Sequence, residues 1–205
     1  MQKNHPAIEV AKKHDMGVFI ISPSDKGGKL YEPPPILEEL CAPLSPMVFN
    51  LFCLQNPLVH TISLGAARPS DFDEHLKIIP LLEERELITN IANKIKTRVQ
   101  EYHGVQWTEQ WDSNLPETLK TPGEINIYDI VRFYNLGTAL DMKAYGIMRY
   151  NLLGQKDHWF PGEKANDLNE AELLNALSSH HNPTKIVEAL KTAHQMFNEE
   201  KWFSS

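Results

Sequence analysis

Residues 59–76 read Val-His-Thr-Ile-Ser-Leu-Gly-Ala-Ala-Arg-Pro-Ser-Asp-Phe-Asp-Glu-His-Leu, a strand pattern that ends at Gly65 and yields to an acidic helix pattern behind Arg68-Pro69. A glycine between a strand and a helix lets an anion approach unpaired backbone N–H groups, where the helix dipole places about half a positive charge. Gly65, Ala66 and Ala67 carry little side chain, and Arg68 offers a guanidinium fork suited to a phosphate. Phosphate binding is the chemistry this stretch could do. The alternative is an ordinary β/α turn whose small residues serve tight packing.

A second loop could join it. Ser22-Pro23 follows the apolar run Val18–Ile21, and Lys26-Gly27-Gly28 offers a point charge with two small residues able to wrap a pyrophosphate. The plain alternative is a surface turn with a solvated lysine.

Other chemistry-bearing residues point to structure. His158-Trp159-Phe160-Pro161-Gly162 reads as a turn anchored by two aromatics and reversed by Pro-Gly. His180-His181 has no second spaced ligand pair for zinc, and a helix C-terminus before Asn182-Pro183 accounts for histidines there. Trp107 and Trp111 read as anchors of a linker. Cys41 and Cys53 are the sole cysteines, without C-x-x-C spacing, and read as reduced thiols of a core. No Ser-His-Asp or Cys-His arrangement can be assembled.

The elements that must position these residues follow from periodicity. Residues 5–15 read as a helix, 17–22 as a strand buried on both faces, and Pro33-Pro34-Pro35 as an extended segment. Ser45-Pro46 reads as an N-cap and first helical position, before a helix burying Val48, Leu51 and Phe52. Residues 59–64 read as a second buried strand and 69–79 as a third helix, so that two β/α units enclose a parallel pair. After Pro80 the pattern is helical throughout: 83–101 with Leu87, Ile88, Ile91, Ile95 and Val99 on one stripe, and 125–145 with Ile127, Ile130, Val131, Tyr134 and Leu140 inward. A last helix behind Asn182-Pro183 carries Ile186, Leu190, Ala193 and Phe197. A boundary near residue 82 separates an α/β part (1–82) from an all-helical part (83–205).

Composition sets the class. The 205 residues are 41% hydrophobic and 23% charged, which is ordinary for a globular chain with a sizeable core. A net charge of −7 argues against general nucleic-acid binding. No apolar run suits a membrane span, and the first residues lack a secretory h-region, so a cytoplasmic protein is expected.

The segments Gly-Val-Phe-Ile-Ile-Ser-Pro-Ser-Asp-Lys-Gly-Gly-Lys-Leu (17–30) and 45–76 resemble the seventh and eighth strand units of aldo/keto reductases. Ile125–Leu136, Ala144–Leu153 and His158–Ala165 are similar to a branch of predicted oxidoreductases with a helical, ferredoxin-like C-terminal domain. The resemblance implies an α/β part followed by an all-α part: the last two β/α units of a TIM-type barrel, then a helical domain. It implies NADP or NAD held in a half-site by Ser22, Pro23, Lys26, Gly28, Ser63, Gly65, Ala66, Ala67, Arg68, Asp71, Glu74 and His75. The family's catalytic Asp, Tyr, Lys and His belong to the first half of the barrel and match nothing here, so no catalytic residue is assigned. Tyr31, Tyr128, Tyr134, Tyr145 and Tyr150 lack matching context. The branch's cluster cysteines are missing too, since none follows Cys53, and no iron–sulfur cluster is expected. The expected activity is NAD(P)H-dependent carbonyl reduction by a portion lacking its tetrad; the alternative is a non-catalytic remnant or an interaction module built on the helical domain. Two strands leave open edges, so a homodimer or a missing N-terminal barrel half is the expected partner.

Overall fold

The computed structural model describes residues 5–24, 26, 28–66, 68–151, 165–166 and 168–198. The expected turn at His158–Gly162 and the candidate Ala67 lie outside them. The chain divides into two compact units, Met1–Thr97 and Arg98–Ser205, with the division inside one long helix.

In the first unit, helix α1 (His5–Lys13) precedes strand β1 (Phe19–Ile21), helices α2 (Pro35–Cys41) and α3 (Val48–Leu54), strand β2 (Thr61–Ser63) and helix α4 (Asp71–Leu76). A 3₁₀ turn at Ile79–Leu81 leads into α5 (Arg85–His103). The strands pair in parallel, with Phe19 opposite Thr61, Ile20 opposite Ile62 and Ile21 opposite Ser63. Side-by-side parallel strands here are what the sequence pattern predicts.

The barrel is not there. Among the described residues the sheet consists of β1 and β2, open on both sides, and the fold is predominantly α-helical. The expected fold class, an α/β part made of the last two units of a TIM-type barrel, is therefore overturned. An unbroken apolar run was the basis for two buried strands, yet Phe19 is 62% and Ile21 72% exposed. Such a run reports strand propensity and says nothing of neighbours; without further strands or covering helices its side chains stay in solvent.

The helices gather the first unit's core around Leu37, Cys41, Met47, Val48, Leu51, Ile88 and Ile91. Helix α2 corrects the extended reading of the three prolines. Pro35 occupies the opening turn, where its missing N–H costs nothing, and Leu37 and Cys41 turn inward. Helix α3 begins at Val48 behind Met47, later than the Ser45-Pro46 signal. Its Val48 and Leu51 are buried, while Phe52 is exposed.

The second unit adds α6 (Val105–Gln110), α7 (Ile127–Ala139), α8 (Lys143–Asn151), α9 (Glu170–Ala176) and α10 (Pro183–Phe197). Helix α7 lies at its centre, packed on α8 and α10, and α9 packs on α10. The single helix expected over 125–145 is two. Leu140 leaves helical geometry and Asp141 takes φ 53°, while Met142 N–H returns to the Leu136 carbonyl at 3.2 Å and satisfies one of the last carbonyls. Leu140 and Met142 both remain in the core, so the apolar pattern runs unbroken through the corner. Helix α10 forms as its sequence predicts: the Asn182 side chain accepts from Lys185 N–H, and Ile186, Leu190, Ala193 and Phe197 are fully buried. No helix among the described residues is long and apolar enough to cross a membrane.

Candidate functional site: a buried polar network beside an open sheet

The loops after β1 and β2 meet in the first unit. Ser22 donates its N–H to the Ser63 carbonyl at 3.1 Å and takes φ 52°, turning the chain out of the sheet. Leu30 N–H then bonds to the Ser24 carbonyl at 2.7 Å and folds the 24–30 loop onto itself. This loop buries Ser24 and Gly28, leaves Pro23 half-buried and exposes Lys26.

Ser24 opens a continuous polar network. Its Oγ lies 2.9 Å from Asn50 Nδ2 on α3, and the same Nδ2 lies 2.9 Å from His75 Nδ1 on α4. His75 Nε2 lies 2.9 Å from the Tyr31 hydroxyl, which donates to the Gly65 carbonyl. These bonds assign the tautomer. With Tyr31 donating to Gly65, its oxygen accepts from His75 Nε2–H, leaving Nδ1 to accept from Asn50. His75 is thus held neutral, and burial pushes its pKa below the ordinary histidine value, with Asp71 and Glu74 pulling the other way. Asn50 is completely buried on an otherwise apolar helix face, a costly position that Ser24 and His75 make tolerable.

The remaining candidates have partners of their own. Arg68 donates Nε–H to Asp71 Oδ1 at 2.9 Å and its backbone N–H to Oδ2 at 3.2 Å. Asp71 therefore closes the turn before α4 and holds the guanidinium that the sequence suggests for phosphate. Glu74 pairs with Lys77, which chiefly holds its carboxyl below the usual range. Gly65 and Ala66 are exposed, and α4 starts only at Asp71, so the glycine is not at the helix N-terminus. Of the sequence-predicted residues the network unites Gly65 and His75; Ser22 and Ser63 share the strand ladder.

Ser24, Tyr31 and Asn50 were not singled out from sequence for this site. Asn50 did carry a signal, a lone amide between Val48 and Leu51 on the inward face of α3. Ser24 and Tyr31 carried none.

Several buried polar groups of the second unit are engaged with one another. Trp107 Nε1–H donates to Asn135 Oδ1 at 2.8 Å, and Lys185 lies 4.6 Å over the Trp107 ring while donating to the His103 carbonyl. Thr138 donates to the Tyr134 carbonyl and meets His103 Nε2 at 2.9 Å. Asp129 and Arg132 form an ion pair at 2.8 Å, both 8% exposed. His180 accepts from Asn182 N–H at Nδ1 and meets the Trp111 carbonyl through Nε2 at 3.1 Å. That bonding, rather than a helix dipole, fixes His180. Trp111 itself stacks on Tyr128. Both cysteines are free thiols, and burial pushes Cys41 up to about 11. No group of three or more His, Cys, Asp or Glu side chains suited to a metal occurs among the described residues.

Beside the network, apolar side chains stand in solvent. Phe19 and Ile21 project from one face of β1, with Val10 and Met16 exposed just ahead of them. Phe72 and Leu76 share one side of α4, and Ile79 and Leu82 continue beyond it.

No family model, no curated protein and no solved structure matches this chain. With an open two-stranded sheet in a mostly helical fold, and no match to the family, the aldo/keto reductase resemblance is overturned. The oxidoreductase activity inferred from it goes as well.

Proposed function

We propose that this protein is a binding module whose first unit covers the Phe19–Ile21 face of its sheet with another polypeptide. The observation that carries this reading is the exposure of Phe19 and Ile21, 62% and 72%, on a parallel pair with open edges. Parallel strands in folded proteins are covered on both faces, and an open edge presents unpaired N–H and C=O groups that template pairing. Contiguous exposed apolar surface of this kind marks interaction sites. The polar network supports the reading from behind: it ties the loops after both strands to α3 and α4, so the surface is presented on a fixed base.

Selection of a random peptide library on the immobilised chain tests this. The expected outcome is enrichment of peptides bearing large apolar residues, bound by the parent chain and released by Phe19→Ser/Ile21→Ser. Enrichment that is equal on parent and double variant, or none at all on chain immobilised sparsely as a monomer, overturns the reading.

A further inference from the structure

The first unit carries two exposed apolar rows, and their electrostatic surroundings are opposite. Phe19 and Ile21 follow α1, whose last turn exposes Lys12 and Lys13. The described residues among 5–30 hold four lysines against two carboxylates, Glu9 and Asp15. Phe72, Leu76 and Ile79 form the other row. Residues 71–86 around it hold six carboxylates against Lys77 and Arg85, and Asp73, Glu83, Glu84 and Glu86 among them are exposed. Sheet faces are ordinarily covered by helices that turn an apolar side inward. The row on α4 is such a side, and it has no cover of its own.

We infer that the polypeptide covering the Phe19–Ile21 face is the Phe72–Ile79 row of a second copy of this chain. The inference rests on the binding-module reading and names its partner. Apolar surface meets apolar surface, and the lysine-rich rim of one copy faces the carboxylate-rich rim of the other, which steers encounter and fixes register. A two-fold axis makes the contact twice, each copy giving its helix to the other's sheet, and closes the assembly as a dimer.

Sedimentation velocity of the full chain, from low micromolar concentration upward, provides the test, using two charge-reversed variants at exposed positions. Lys12→Glu/Lys13→Glu makes both rims acidic, and Glu83→Lys/Glu84→Lys/Glu86→Lys makes both basic. Each alone dimerises at least about tenfold more weakly than the parent. An equimolar mixture regains parental affinity, because the acidified sheet rim of one meets the basified helix rim of the other, while the unaltered rims still match. Circular dichroism confirms that each variant is folded. A parent chain that stays monomeric, or a mixture no tighter than its components, overturns the inference. The peptide selection separates the two failures: a monomer whose Phe19–Ile21 face still selects peptides loses the second-copy partner but keeps the binding module.

Discussion

The ring of Phe197 on α10 occupies the space left by two glycines: a Cβ at Gly146 of α8 would lie 2.5 Å from its Cε1, and one at Gly137 of α7 would lie 2.7 Å from its Cζ. Three helices therefore meet at one aromatic side chain, and neither glycine can take a methyl unless that ring moves. Gly146→Ala and Gly137→Ala are each expected to lower stability by about 1–3 kcal/mol, despite the better helix propensity of alanine. Urea unfolding measures this. Combining Gly146→Ala with Phe197→Leu should cost less than the sum of the two single changes, because the shortened side chain makes room for the methyl.

His103 links stability to pH. Burial, assisted by Lys185, lowers its pKa from 6.5 to about 4. Above 6.5 it is neutral whether the chain is folded or not, and contributes no slope. Between 6.5 and about 4 the unfolded chain takes up a proton that the folded chain refuses, so stability falls as pH drops through that window. The loss is of the order of 3 kcal/mol at about 1.4 kcal/mol per pH unit. His75 and His194 act in the same direction, since burial lowers both. Thermal melts across this range should show the slope, and His103→Gln should flatten it.

The polar network predicts one tautomer of His75. Its Nε2 carries the proton and its Nδ1 accepts from Asn50, a pattern that long-range ¹H–¹⁵N spectra of the ring distinguish directly. Tyr31→Phe leaves His75 Nε2–H without this acceptor and the Gly65 carbonyl without this donor. The expected cost is about 1–3 kcal/mol.

How much of this was legible locally differs from element to element. Asn182-Pro183 announced α10, because a cap and a first-turn proline act within a few residues, and the i, i+4, i+7 spacing of Ile186, Leu190 and Ala193 follows from the helix period. The two strands were legible in the same way, as was their parallel pairing. What surrounds them was not. The sequence around Phe19 and Ile62 states that a strand forms; whether six more lie beside it depends on residues elsewhere, and here the neighbours are helices and solvent. Pro33-Pro34-Pro35 admitted two readings, extended chain or helix start, and the inward Leu37 and Cys41 decide for the helix. The polar network lay beyond local reading because its members come from four segments far apart in sequence.

Cys41 should be chemically quiet. Complete burial, and a thiol pushed up to about 11, keep the thiolate scarce at neutral pH despite the nearby Lys94 charge. Ellman's reagent is expected to react with Cys53, which is less buried, well before Cys41, and with both at once in denaturant.

Asp129 and Arg132 form a buried pair, and Arg132 also lies 4.6 Å from the centre of the Phe133 ring. Asp129→Ala leaves the buried guanidinium without its carboxylate, with Tyr145 as a remaining partner, and is expected to cost about 3 kcal/mol, whereas Asp129→Leu/Arg132→Met should cost less than that single change. Denaturant unfolding of the three variants decides it.

Helix α10 bears on the timing of synthesis. Its residues supply the ring at Gly137 and Gly146, the lysine beneath the His103 carbonyl and the imidazole on Tyr150. A nascent chain that has emerged only through α8 lacks all three, and its glycine gap is vacant. The second unit must therefore close late, after Phe197 has cleared the ribosome, while the first unit, which emerges earlier, can begin folding ahead of it.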